Sequence, residues 1–384
     1  MQQTVYYIEG DGIGPEVIRA ARPIIDAAVA KACGSDFRLD WRELPAGEKA
    51  LKETGELLPQ ASLDALRSAS YALKGPLGTP VGKGFRSLNV TLRQSLDLYA
   101  CIRPIRWFPG VVSPVRHPEK VDMVIFRENT EDLYLGIEYQ SGSPEAKKLI
   151  EYLRDALGVT LSAEAAVGLK PMTPAGSKRL IRRAVRFALA RKKPSVTLMH
   201  KGNIMKFTEG GFREWGYEVV RDEFADACRL ESDPATDSTL GKLVVKDRIA
   251  DALFQEVLLH PEDYSVIATP NLNGDYISDA VAAQVGGLGM APGVNMSDTL
   301  AFYEATHGTA PNIAGKDKAN PCSVVLCGAM MLEEMGKPEA ARLIYNAVEK
   351  VMAAKTVTPD LAGQMDGARA VGCREFGDLL GAAL

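Results

Sequence analysis

Asp275 and Asp279, in the run Asn271-Leu-Asn-Gly-Asp-Tyr-Ile-Ser-Asp279, stand four residues apart, so on a helix they share one face. Two like charges there repel unless a cation lies between them. Oxygen-only ligands point to Mg2+ or Mn2+ rather than Zn2+. Asp275 as a helix cap with Asp279 solvated fits the same spacing equally well. A third carboxylate is available from Asp247 or Asp251, and spacing does not choose between them. Arginines form a second set: Arg86-Ser-Leu-Asn-Val-Thr-Leu-Arg93, then Arg103, then Arg127 directly after an apolar run. Guanidinium forks bind carboxylates bidentately, and open α/β sheets bind ligands at the carboxyl ends of their strands. Arg93, Arg103 and Arg127 together suit a polyanionic acid, although each alone also reads as a surface ion pair. Lys201, in His200-Lys-Gly-Asn-Ile-Met-Lys206, follows another apolar run. Among other cations its pKa falls and it can serve as a base, while by residue type alone it is a surface lysine. The loop Glu304-Ala-Thr-His-Gly-Thr-Ala-Pro-Asn-Ile-Ala-Gly315 has the glycines and polar groups to pack around a nucleotide, a common pattern.

Short apolar runs at 5–8, 121–126, 195–199 and 264–268 read as buried strands, and 16–30 reads as a helix with Pro15 near its first turn. Strands alternating with helices give an α/β class. Gly10-Asp-Gly-Ile-Gly-Pro15 follows the first strand, but its spacing is not Gly-x-Gly-x-x-Gly, and no acidic residue ends a second strand about 20 residues on. It reads as a tight strand-to-helix turn rather than a Rossmann fingerprint. The stretch 140–174 has weaker periodicity and reads as an insertion. The basic segment 178–193 places its charges opposite Leu180, Ile181, Val185 and Leu189, as a solvated helix face does.

At 384 residues the chain has material for two domains. With 45 basic and 49 acidic residues it carries a net charge of −4, so no global field attracts nucleic acid. No apolar run approaches the ~20 residues of a membrane span. The opening residues run directly into a strand without a leader pattern, so a cytoplasmic location is expected. Cys33, Cys101, Cys228, Cys322, Cys327 and Cys373 form no Cys-x-x-Cys pair and read as reduced, buried thiols.

In this order the segments resemble the β-decarboxylating dehydrogenases, the family of isocitrate and isopropylmalate dehydrogenases. The likeness is carried by Ile8-Glu-Gly-Asp-Gly-Ile-Gly-Pro-Glu16, Asn273-Gly-Asp-Tyr-Ile-Ser-Asp279 and His307-Gly-Thr-Ala-Pro311, and it covers nearly the whole chain. Ser87-Leu-Asn89 with Arg93, Asp122-Met-Val-Ile-Phe-Arg-Glu-Asn129 and His200-Lys-Gly-Asn-Ile-Met-Lys-Phe-Thr-Glu-Gly210 resemble the isocitrate branch. Ser and Asn can hydrogen-bond a third carboxylate where the other branch presents apolar residues.

The resemblance implies large and small α/β domains with a clasp, not a Rossmann fold: residues 1–98 and 286–384, residues 99–131 and 174–285, and residues 132–173. It implies isocitrate as substrate, held by Ser87, Asn89, Arg93, Arg103 and Arg127, with Tyr134 as acid and Lys201 as base. It selects Asp251 as the metal carboxylate beside Asp275 and Asp279. Asp251 and Lys201 then come from the partner subunit, so a homodimer with shared active sites is expected. Thr79, Glu304, His307, Gly308, Thr309, Ala310, Pro311, Asn312, Ile313, Asn320 and Asp360 fall at nucleotide-binding positions. NADP-using relatives place Lys and Tyr just after His-Gly-Thr-Ala-Pro, with Tyr and Arg later, where this chain has Asn312, Ile313, Pro359 and Gly363. NAD is therefore the expected cofactor.

Overall fold

The computed structural model describes residues 1–78, 87–234, 236 and 240–384. Thr79 and Arg86 lie outside the described residues. The strands in chain order are β1 (Gln2–Ile8), β2 (Arg38–Glu43), β3 (Tyr71–Lys74), β4 (Ala100–Arg106), β5 (Asp122–Glu128), β6 (Glu138–Tyr139), β7 (Val167–Gly168) and β8 (Ser195–His200). There follow β9 (Cys228–Leu230), β10 (Leu243–Ile249), β11 (Val266–Thr269), β12 (Pro292–Met296), β13 (Ala301–Ala305), β14 (Thr356–Val357) and β15 (Arg369–Ala370).

Eleven of these strands form one sheet in the order β2-β1-β3-β13-β12-β4-β5-β11-β8-β10-β9. Its two wings are parallel, as expected where helices cover both faces. The centre is antiparallel, through β13–β12, β12–β4 and β4–β5. This departs from a doubly wound Rossmann sheet, in agreement with the α/β reading made from the opening turn. β5 is buried along its length after Asp122, and its carboxyl end lifts Arg127 onto the face where β11 ends, with Thr269 paired to Arg127.

The turn 10–14 owes its glycines to close packing. A methyl group on Gly12, which sits at φ +59°, would lie 2.1 Å from the Thr309 carbonyl oxygen, and one on Gly10 would lie 2.3 Å from that of Pro76. Asp11 is buried within the turn and accepts from the backbone N–H groups of Glu48 at 2.8 Å and Gly78 at 2.7 Å. Ile13 N–H donates to the Thr309 carbonyl at 3.0 Å. The first turn of the chain is thus a seat for the loop that follows β13.

The basic segment forms the helix Pro174–Ala190 and its C-terminal turn. Its basic side chains are partly exposed and form ion pairs at the surface. Arg182 is forked onto Glu223 at 2.5 Å, Arg179 meets Asp97 at 2.8 Å, Arg191 meets Glu333 at 2.9 Å, and Lys193 meets Asp122 at 2.9 Å. The acids come from other elements, which a local reading cannot see. Residues 138–168 hold the short antiparallel pair β6–β7 and the helix Pro144–Leu157. Among the described residues no helix is long and apolar enough to cross a membrane.

Gly12→Ala combines a left-handed backbone with a carbonyl that cannot yield. It is expected to cost at least about 1–3 kcal/mol of stability, and an unchanged urea midpoint would contradict the packing described.

Candidate active site

Three elements converge at the carboxyl ends of β5 and β11, beside the first half of the antiparallel β4. The helix Asn271–Ala282 carries Asp275 and Asp279 on one face. Its N-cap is Pro270 and Asp275 lies inside the helix, which removes the capping alternative. Gly274 lets that helix settle onto Arg127, since a methyl group there would lie 2.6 Å from the Arg127 Cγ.

Arg127 is 1% exposed. Its Nε donates to Asn271 Oδ1 at 2.9 Å and its Nη1 donates to Asp275, while the guanidinium carbon lies 4.7 Å from the centre of the Tyr134 ring. Its Nη2 is buried with no partner. Arg103, buried on β4, donates to Ser278 Oγ and to Asp279 Oδ1 at 3.1 Å. The Tyr134 hydroxyl donates to the second Asp275 oxygen at 2.5 Å. Burial, then the Asp275 carboxylate, push the Tyr134 phenol above its usual range, so it carries its proton at neutral pH.

The two aspartates are driven apart. Burial opposes ionisation of Asp275, but Arg127, the Tyr134 hydroxyl and Arg103 outweigh it and hold the carboxyl below its ordinary range. Burial raises Asp279, Arg103 offsets this only in part, and Asp275 adds to the rise. A pair of oxygen donors with residual repulsion fits a hard divalent cation.

Lys201 and Asp251 lie next to each other but outside this cluster: the ammonium of Lys201 donates to Asp251, at the start of the helix Ala250–Leu259. Asp247, the other candidate carboxylate, is engaged by His200 Nε2 at 2.9 Å and by the Tyr217 hydroxyl.

Arg93, on the helix Leu88–Ser95, reaches Glu304 Oε1 at 3.1 Å. Glu304 also receives Lys74 and, at 2.6 Å, Asn295 Nδ2. Burial works against its charge, but Lys74 and Arg93 together hold the carboxyl far below the usual range. Ser87 caps the Leu88–Ser95 helix on Val90 N–H, and Asn89 donates to the Leu77 carbonyl while its Oδ1 is buried without a partner.

After β13, His307 Nδ1 lies 3.0 Å from the Gly308 carbonyl. A carbonyl only accepts, so Nδ1 bears the proton. Burial lowers the imidazole pKa, leaving the ring neutral with Nε2 as a bare acceptor that has no partner. The rest of the segment is backbone-defined: Thr309 accepts from Ile13, Ala310 sits at φ 40° and accepts from Ile313 N–H at 3.0 Å, and Pro311 leads into Asn312. Asn320 Nδ2 donates to Asp360 at 3.0 Å, and the Asp360 charge reaches His307. An unpaired acceptor in a pocket of ordered backbone fits a nucleotide's N–H or O–H groups.

Sequence reasoning missed Lys74, Asn271, Ser278 and Asn295. Lys74 was open to detection, since it ends a buried strand as Arg127 does. It also missed the close approach of Glu16, Asp317 and Cys373. Those groups serve the backbone: Glu16 accepts from Ala319 N–H and Asp317 from Arg374 N–H, each at 2.9 Å, and burial pushes the Cys373 thiol up to about 12.

Glu304 predicts a pH signature. Its folded pKa lies below the unfolded value of about 4.3, so its contribution is complete above that pH and is lost as pH falls through the folded value. Glu304→Gln is expected to cost about 3–5 kcal/mol at pH 7 by leaving buried Lys74 uncompensated. The stability gap to wild type should narrow below pH ~4.3; urea midpoints with a gap that is constant or widens on acidification would refute this.

Comparison with known proteins fits this arrangement. Residues 4–380 match the isocitrate/isopropylmalate dehydrogenase family model. The isocitrate dehydrogenase [NADP] of Pseudomonas aeruginosa (strain UCBPP-PA14) is 53% identical, over 97% of this chain and 91% of that protein. The isocitrate dehydrogenase [NADP] 1 of Colwellia maris is 52% identical, over 97% and 92%. The crystal structure of isocitrate dehydrogenase from Methylococcus capsulatus superposes with a TM-score of 0.80 at 37% identity, covering 99% of both chains.

The NAD expectation is corrected by these relatives, whose names carry NADP. The argument from Asn312, Ile313, Pro359 and Gly363 assumed that phosphate-binding cations occupy only those places. Here the Lys316 ammonium lies on the Asn312 carbonyl at 2.8 Å, so positive charge reaches that turn from a position outside the set. The two parallel wings, the arginine and aspartate cluster between them and the match over residues 4–380 lead to one assignment: the chain belongs to the isocitrate/isopropylmalate dehydrogenase family.

Proposed function

We propose that this protein oxidises isocitrate and decarboxylates the product to 2-oxoglutarate and CO2, using NADP. The observation that carries the reading is the buried, unpartnered Arg127 Nη2 beside Asp275 and Tyr134. A buried guanidinium N–H without an acceptor is costly, and a substrate carboxylate satisfies it. Arg103 supplies a second fork, and Arg93, the Ser87 hydroxyl and the Asn89 amide N–H are the donors available to the third carboxylate. The nucleotide assignment rests on the names of the relatives.

Asp275 and Asp279, with Asp251 of a second copy, would hold Mg2+ or Mn2+. Bound there, such a cation would supply Lewis-acid charge to the oxidation and the decarboxylation. The chain's own groups move the protons. Lys201 of the second copy, after giving up its own proton to solvent, would take the C2 hydroxyl proton, and Tyr134, held protonated by burial and by Asp275, would return one to C3 after CO2 leaves. The arginines orient the acid and keep its charges out of water.

A dimer is supported by where Lys201 and Asp251 stand. They bond each other rather than Tyr134 or Asp275, and their own segments carry exposed Ile204, Phe207, Leu258 and Leu259, with Phe207 92% exposed. Tyr152 and Leu157 on the 144–157 helix are exposed as well. Such apolar surface suits a second copy of the chain. In this reading residues 1–98 and 286–384 form the large domain, 99–131 and 174–285 the small one, and 132–173 the clasp.

Initial rates with isocitrate, each nicotinamide dinucleotide, and Mg2+ or EDTA test the assignment. Turnover is expected with NADP and the metal, and Asp275→Asn should lower kcat by about a hundredfold or more. Turnover that ignores EDTA would remove the metal site, and turnover with NAD alone would remove the nucleotide assignment.

Site sharing is tested by mixing two inactive chains, Tyr134→Phe and Lys201→Met, through unfolding and refolding. One site of each hybrid dimer then holds intact Tyr134 and intact Lys201, so activity should reappear. Mixtures as inactive as their parents would refute sharing.

A further inference from the structure

Arg103 and Arg127 are fixed by strands, but Lys201 lies on a turn after β8, and a base on a turn needs an anchor of its own. Glu209 opens the helix Glu209–Glu223 and is fully buried. Its Oε2 accepts from the backbone N–H of Lys201 and from Asn273 Nδ2 at 2.8 Å, and its Oε1 lies 2.9 Å from Lys170 Nζ. Lys170 in turn meets Asp132, whose other oxygen accepts from Leu272 N–H at 3.0 Å. Asp132 is 1% exposed, sits at φ 69°, and lies two residues before Tyr134. Gly202 is pressed onto the start of the same helix, where a methyl group on it would lie 2.7 Å from the Gly210 Cα.

All three partners of Glu209 are donors. Oε2 accepts both hydrogen bonds, from Lys201 and Asn273, while Oε1 meets Lys170 as an ion pair without a hydrogen bond, and a glutamine in the same place turns an N–H toward one of these donors. The carboxylate is therefore matched to its partners in charge and in hydrogen-bond sense. It touches no substrate-binding arginine.

We infer that Glu209 is the positioning residue for Lys201, holding the backbone of the base in fixed relation to the helix that carries Asp275 and Asp279. The inference rests on the role given to Lys201 above. In the shared-site dimer it has a further consequence: Lys201 serves one site while Asn273 belongs to the other, so one buried carboxylate ties the two together.

The test is a double-mutant cycle on the full chain, read as kcat and isocitrate KM with NADP and Mg2+. Glu209→Gln is expected to lower kcat at least about tenfold with KM changed less than about twofold, because the arginines keep their places. In the Lys201→Met background the same change should alter the residual kcat less than about twofold. Glu209→Asp keeps the buried charge but falls a methylene short of Lys201 N–H, so it is expected to fold with a near-normal Tm and still lose kcat several-fold. Multiplicative losses in the cycle, a KM effect without a kcat effect, or wild-type kcat in Glu209→Asp would overturn the inference. If Lys201→Met is inactive and the losses multiply, only the role of Glu209 falls. If Lys201→Met turns over normally, the assignment of the base falls with it.

Discussion

A guanidinium that is 1% exposed and carries an unpaired N–H sets the terms for everything around it. Arg127 cannot be solvated, so its charge must be met by protein or by ligand. Asp275 meets part of it, Asn271 another part, and the Tyr134 ring covers one face. Each partner has its own character at the contact: Asp275 stays ionised against burial, Tyr134 stays protonated against Arg127, and Gly274 is confined to a residue without a side chain. Phenol, carboxylate and guanidinium are three sides of one electrostatic problem.

The same economy appears at Glu304 and Glu209. Both are buried carboxylates surrounded by donors, and neither has water to fall back on. Glu304 ties Lys74 to Arg93 beside the loop that follows β13, while Glu209 ties Lys201 to the aspartate helix. Removing one partner from such a set costs more than the set contributes as a whole, because the remaining charge is left uncompensated.

Much of this was legible in the chain before any coordinates. Arg127 stood out because a charged residue directly after a buried strand has few places to go, and Asp275 with Asp279 because four-residue spacing forces like charges together on a helix. The glycine turn was separated from a dinucleotide fingerprint by spacing alone, and the structure gives it a packing role against Thr309. What escaped was the partner in each case. Asn271 is 144 residues from Arg127, and Glu304 is 211 from Arg93. Nothing local in Glu209 distinguishes it from a solvated helix acid. The acids that pair with the basic helix are likewise drawn from distant elements, and the nucleotide expectation failed because charge at four places was taken for charge in the whole neighbourhood.

The antiparallel centre of the sheet bears on how the chain acquires its shape. β12 and β13, near residue 300, lie between β3 and β4, which precede them by some two hundred positions. While a ribosome is still extending the chain through its middle, β3 and β4 have exposed edges and no neighbour to close them. The sheet is completed only when the last quarter emerges, so nascent chains pass through a long interval in which open strand edges are available to the wrong partner.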